Sequence, residues 1–190
     1  MERADPLNHF IRCEQYFLER TGHNKEQFLS LIRNEFTAES FLELAIWYYS
    51  KNLLTEALEV LILAPSHPMV LYWSAYVNDR VGNRELAQYT LQQATEADPL
   101  LVFPSRFESI EPLHWALQQA SHWTINYFTA LIYLSVGRAE KATTYLQSCD
   151  EQPDFYPLYL TRAELLKAID PGQAKVDMLK ALSLAPDSWR

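Results

Sequence analysis

Glycine is scarce in this chain: four in 190 residues, at positions 22, 82, 137 and 172. Phosphate-cradling loops of the Walker and dinucleotide types place several glycines in one short stretch so that the backbone can approach the phosphate, and neither is expected here. No nucleophile elbow or HExxH pattern occurs either. Cysteine is scarcer still. Cys13 and Cys149 lie far apart in a chain large enough to bury its own core, which implies neither a disulfide framework nor a zinc knuckle. Basic residues are in deficit, sixteen Lys and Arg against twenty-four Asp and Glu for a net charge of −8, and no long basic run exists. A nucleic-acid backbone is therefore not the expected partner. Long apolar runs are missing as well: the longest uncharged stretch, from Pro112 to Gly137, is interrupted by His114, Gln118, Gln119, Ser121 and His122. It falls short of the roughly twenty apolar residues of a membrane-crossing helix, so no membrane insertion is expected. The start, MERADPLNHF, has no apolar signal core. A complete chain would then be cytoplasmic, whereas for a piece of a longer protein the compartment is open.

What is present is the makeup of a packed helical domain, 48% hydrophobic and 13% aromatic, with ten prolines. The four glycines and most prolines fall between apolar periodic segments, where helices end. Asp5 before Pro6 reads as an N-cap with proline at the first helical position, and Asn24 with Gln27 imitates a capping box. Helices are predicted near 6–20 and 25–35. Apolar residues then recur at three-and-four spacing in Phe41, Leu44, Ala45, Tyr48 and Tyr49, and again in Ala57, Leu58, Leu61 and Ile62. Nothing alternates with β-branched residues as a strand does, so the fold class is all-α.

A repeat runs through the pattern. Ala57, Ala87, Ala142 and Ala174 serve as equivalent anchors, each followed four residues later by Leu61, Leu91, Leu146 or Met178 and seven later by Ala64, Ala94, Cys149 or Ala181. A proline closes each repeat, at 68, 99, 153 and 186. Upstream stands a small residue, Ala45, Ala75, Ala130 or Ala163. Alanine at a crossing lets two helix backbones approach, while the large residue one turn on fills the adjoining groove. The anchors are 30, 55 and 32 residues apart, so an insert lies between the second and third repeats.

These positions resemble the tetratricopeptide repeat, with departures such as Asn78 where tyrosine is usual. The resemblance implies a single domain over 1–190, a right-handed α-solenoid of antiparallel helix pairs. It comprises N-terminal helices in 1–37, repeats at 38–67, 68–101, 123–153 and 155–188, and an insert at 102–122. In the insert, Pro104 bars Phe103 from the helical region, a helix is predicted near Pro112–Gln119, and Phe103 is expected to plug the groove between the second and third repeats. With GRAEKA, CDEQPDFYPLYLTRAEL and the terminal APDSWR, this segment is similar to the tetratricopeptide regions of long Bacteroidetes-type proteins. That resemblance implies a neighbouring β-rich domain associated with glycoside hydrolases.

Candidate chemistry is thin. His9 and Cys13 share a helix face at metal-ligand spacing but lack a second pair. His114 and His122 flank the insert helix beside Trp115 and Trp123, where packing or capping is the ordinary role. Glu108 with Glu111, and Asp150, Glu151 and Asp154, are the carboxylates available for glycoside chemistry, and they stand beside prolines in loops where solvated charges are the rule. No catalytic, cofactor or metal site is expected, and the chain is read as a non-enzyme.

Function then falls to surface. In a helix-pair solenoid the first helix of each pair lines the concave side. Register places Leu42, Ile46 and Tyr49 there from the first repeat, and Met69, Tyr72, Tyr76 and Asp79 from the second. The third adds Thr124, Tyr127, Leu131 and Leu134, and the fourth Leu160, Glu164 and Lys167. The wall is aromatic and apolar and does not look like the lysine and arginine clamp that some relatives close on a terminal carboxylate. Tyr49, Met69, Tyr72, Tyr76, Asp79, Tyr127, Leu131, Glu164 and Lys167 are the expected partner contacts, for a peptide, a helix or a neighbouring domain. The alternatives are that the tyrosines are inter-repeat core, or that they form sugar platforms in an accessory region of a carbohydrate-processing protein. An uncapped solenoid end is a further place for self-association.

Overall fold

A computed structural model of the chain describes residues 9–32, 36–149 and 153–185; Asp5, Pro6, Asp150, Glu151 and Pro186 lie outside them. Among the described residues every regular element is helical. The chain divides into two compact units, Met1–Ala94 and Thr95–Arg190, where the sequence reading has one domain.

In the first unit α1 (His9–Leu18) packs on α2 (Gly22–Leu31), α3 (Thr37–Ser50) on α4 (Leu54–Leu63), and α4 on α5 (Pro68–Arg80). A sixth helix, α6 (Arg84–Glu96), follows across the unit boundary. In the second unit a 3₁₀ turn, Phe107–Ser109, leads into α7 (Ile110–Gln119), which packs on α8 (Trp123–Ser135). There α8 pairs with α9 (Ala139–Gln147), α9 meets α10 (Tyr156–Leu166), and α10 pairs with α11 (Pro171–Leu184). Short joints, of three residues within α1–α2, α3–α4, α7–α8 and α8–α9, make successive helices antiparallel neighbours. The pairing has its physical origin in the small residues. Ala45, Ala57, Ala75, Ala87, Ala130, Ala142, Ala163 and Ala174 are all buried, as are Leu61, Leu91 and Leu146.

The turns show how the period is written into the backbone. Gly82 (φ 87°) and Gly137 (φ 73°) occupy the left-handed position after α5 and α8. The amide of the next residue reaches five back, Asn83 N–H to the Asn78 carbonyl at 2.9 Å and Arg138 N–H to that of Tyr133 at 2.8 Å. Both are Schellman closures. The same closure ends α3, with Asn52 (φ 61°) in the glycine's place and Leu53 N–H bonding the Tyr48 carbonyl at 3.0 Å. Asparagine tolerates that backbone better than other side chains do, so a third turn goes unmarked by glycine. Gly22 and Gly172, by contrast, lie in the first turns of α2 and α11.

Caps correct the sequence reading at α2 as well. Thr21, not Asn24, is the N-cap, its hydroxyl accepting from Asn24 N–H at 3.2 Å. His67 and His122, 55 residues apart, cap α5 and α8 with the same geometry, each Nδ1 accepting the amide two residues on at 3.3 Å. The insert is thereby reinterpreted: α7 precedes α8 as α4 precedes α5, with the same Ser-His entry to the next helix. It is a half repeat, whose first helix is replaced by the extended run 102–106. That run does not insert Phe103 as a plug. Extended side chains alternate, and here Val102 and Pro104 are buried while Phe103 is 71% exposed.

The His67 cap makes stability pH-dependent. Burial lowers its pKa below the ordinary histidine value, against a weaker pull upward from Glu39, and protonating Nδ1 would turn the cap's acceptor into a donor facing Met69 N–H. The unfolded chain therefore binds a proton at a higher pH than the folded one, so stability falls as pH drops through about 6.5. His67→Asn retains a capping acceptor without the titration. Its melting temperature should decline less than that of the wild type between about pH 7 and pH 5. Equal declines in thermal melts at the two pH values would remove His67 from the effect.

Candidate functional site

The expected contact residues fall into columns one turn apart along α3, α5, α8 and α10 (Tyr156–Leu166). The N-terminal columns are interior on α3, α5 and α8, whereas Leu160 on α10 is half-buried. Met69, Tyr72 and Tyr127, with Leu42 and Thr124, are buried, which corrects their placement on an accessible wall. Tyr76, one column further on, is buried as well. The reason is neighbouring helix mass. Tyr76 and Trp73 meet Tyr49 across the α3–α5 contact, with ring centroids 5.7 and 5.4 Å apart, and the Tyr49 and Tyr76 hydroxyls are hydrogen-bonded at 2.8 Å. Tyr127 packs among Trp123, Phe128 and Phe155 at 5.4 to 6.3 Å. Burial pushes its pKa up to about 12 despite a hydrogen bond with Thr161. Of these rings Tyr76 and Tyr127 are buried, while Tyr49 is half-buried.

The C-terminal columns are different. Ile46, Tyr49 and Asp79 in the first unit, and Leu131 and Leu134 in the second, are half-buried, and Glu164 and Lys167 are exposed and ion-paired with each other one turn apart on α10. Along α3, α5 and α8 accessibility therefore belongs to the C-terminal turn, while α10 is partly open at Leu160 as well. Behind that surface Arg162 and Asp177 form a two-pronged pair, Nε to Oδ2 at 2.7 Å and Nη2 to Oδ1 at 2.8 Å. Arg162 also donates to the Leu146 carbonyl at 3.3 Å and Gln173 to Asp177 at 3.0 Å, so one network ties α9, α10 and α11.

Of the candidate reactive groups, Cys13, His114 and His122 are taken up by packing or capping. Cys13 is wholly buried, and burial above all raises its thiol to about 12, Tyr48 pulling the other way and Glu14 and Glu59 adding to the rise. Burial and a raised pKa are the surroundings of a structural rather than a reactive cysteine. Two phenol–carboxylate bonds hold α1 in place, Tyr48 to Glu14 at 2.6 Å and Tyr16 to Glu59 at 2.9 Å. His114 Nε2 shares a 2.9 Å bond with the Tyr145 hydroxyl, and burial, then Lys141, lowers its pKa. His122 is the α8 cap. Glu108 and Glu111 are exposed, and Asp154, also exposed, pairs with Lys180 at 3.4 Å. Among the described residues no group of three His, Cys, Asp or Glu is arranged to hold a metal ion, and no helix is long and apolar enough to cross a membrane.

No model of a known protein family matches the chain, and no curated protein matches it. Solved structures do resemble it at low identity. A tetratricopeptide repeat protein from Parabacteroides merdae is 17% identical with a TM-score of 0.38, over 99% of this chain and 83% of that one. The C-terminal part of a TPR repeat-containing protein from Cytophaga hutchinsonii is 16% identical at a TM-score of 0.34, over 93% and 79%. YrrB, described as a TPR protein with an unusual peptide-binding site, is 15% identical at 0.35, over 99% and 89%. Likeness at this level carries nothing about function; the all-α arrangement of antiparallel helix pairs rests on the helices and contacts described above.

Proposed function

We propose that the chain is a non-catalytic protein-interaction scaffold that holds a peptide, a helix or a neighbouring domain on the C-terminal turns of its first helices. The observation that carries this reading is made in each unit by itself: in the first, Tyr72 and Tyr76 are buried while Ile46 and Asp79 are half-open, and in the second, Tyr127 is buried while apolar Leu131 and Leu134 are half-open and Glu164 and Lys167 exposed. Half-open apolar groups rimmed by charge are what a modest protein interface uses, the apolar centre for affinity and the rim for orientation. Tyr72, Tyr76 and Tyr127 support that surface from beneath.

A peptide array probed with the labelled chain tests the reading. Peptides retained by the wild type should bind Leu131→Asp/Leu134→Asp at least about tenfold more weakly, a difference of roughly 1.4 kcal/mol. Tyr89→Ala, an exposed control on α6, should leave binding unchanged. Retention of no peptide class, or equal binding by the Leu131/Leu134 variant, would remove the proposed surface.

A further inference from the structure

We infer that a second copy of this chain docks its 98–103 loop into the groove between α10 and α11. Two features of the second unit, each unaccounted for alone, fit each other. The groove has a volume of about 270 Å³ and is lined by Ala163, Ala174, Met178 and Leu179, with Lys167 and Lys175 at its rim. In the equivalent hairpin, α8 with α9, α10 lies on α9 and Leu146, the counterpart of Met178, is wholly buried. On α11, Val176 and Leu179 are each 57% exposed.

The loop supplies the matching shape and charge. Leu101 holds φ 62°, a conformation that branched apolar side chains seldom adopt. It is fixed there by Asp98 Oδ1 accepting Leu100 N–H at 2.9 Å and by Val102 N–H bonding the Pro99 carbonyl at 3.3 Å. The strained turn directs two large side chains outward, Leu101 at 79% and Phe103 at 71% exposure, and Glu96 and Asp98 flank them. Apolar tip meets apolar groove, and the exposed Asp98 meets the exposed Lys175 at the groove's edge. A symmetric pairing of two α11 faces is disfavoured, because antiparallel α11 helices would set Lys175 against Lys180 of the other copy, whereas Asp177 is buried and spent on Arg162. Loop-into-groove contact is heterologous, so it leaves one loop and one groove open and continues to longer assemblies. The area involved is small, which places the association among weak, concentration-dependent contacts.

Apart from Lys167 these residues lie outside the peptide surface proposed above, and the test avoids that residue. Sedimentation velocity of the full chain from about 10 µM to about 1 mM, the range of weak association, should show a rising weight-average coefficient. Leu101→Asp and Leu179→Asp should each weaken association at least tenfold. Both positions are exposed, and aspartate accepts the left-handed backbone at 101 better than leucine does, so circular dichroism should report both as folded. Mixed at equal concentration, the two variants should form a one-to-one dimer that grows no further, since one good groove then meets one good loop. A wild type that stays monomeric throughout, a variant that associates like the wild type, or a mixture that stays monomeric overturns the proposal.

Discussion

Tyr72→Ala should lower the unfolding free energy by about 3 to 5 kcal/mol, the range for emptying a buried aromatic site. Tyr72 is wholly buried on α5, in a run that buries Met69, Val70, Trp73, Ala75, Tyr76 and Val77 as well. A helix sealed on so many sides cannot collapse into the space a phenol leaves, so the cavity persists and the surrounding contacts are lost. Set against a whole-domain stability of about 5 to 15 kcal/mol, one substitution removes a large share. Urea unfolding followed by helical circular dichroism reads this as a lower midpoint at unchanged slope. Tyr89→Ala, 60% exposed on α6, should stay within about 0.5 kcal/mol of the wild type. If Tyr72→Ala kept its midpoint and lost only partner binding, Tyr72 would belong to the contact surface after all.

The same residue marks what the sequence could and could not disclose. Helical periodicity is local, so the all-α class, the hairpin pairs and the eight buried alanines were legible from spacing alone. The anchor separations also located the irregularity between the second and third repeats, although not its nature as a half repeat. Depth was not legible. Register tells which residues share a face, but how much of that face the neighbouring helix covers depends on crossing geometry. Tyr72, Tyr127 and Leu131 therefore read alike, though two are sealed and one is half-open. Charge was the usable signal, since Glu164 and Lys167 are accessible where Tyr76, at the position of Glu164, is not. Asn52 was overlooked because a search for glycine passes over asparagine, yet it lies 30 residues before Gly82, the anchor spacing itself. The paired histidine caps were present in the sequence as Ser-His at 66–67 and 121–122, a second copy of the 55-residue step.

The buried charge on α11 was also hidden. Asp177 follows the fourth anchor alanine, Ala174, by three residues and looks like any solvent-facing acid, but its side chain is 2% exposed and that of Arg162 15%. Asp177→Ala should cost about 3 to 5 kcal/mol, the penalty of leaving a buried guanidinium without its anion. Arg162 cannot escape by losing its proton, because a guanidinium stays protonated even without its partner. Nor can it swing out cheaply, since it also donates to the Leu146 carbonyl and lies over the Tyr159 ring at 5.5 Å. Gln173 loses its acceptor in the same change. Removing both charges tells a different story. Arg162→Met with Asp177→Leu replaces the pair by apolar groups of similar reach, and such replacements are commonly neutral or stabilising because neither ion need be desolvated. The double variant should therefore recover most of the loss, with coupling well above the few tenths of a kcal/mol expected of independent sites. Urea midpoints of the wild type, Arg162→Met, Asp177→Leu and the double variant close this cycle. An Asp177→Ala variant as stable as the wild type, or a double variant no better than it, would show that the pair does not hold α10 to α11.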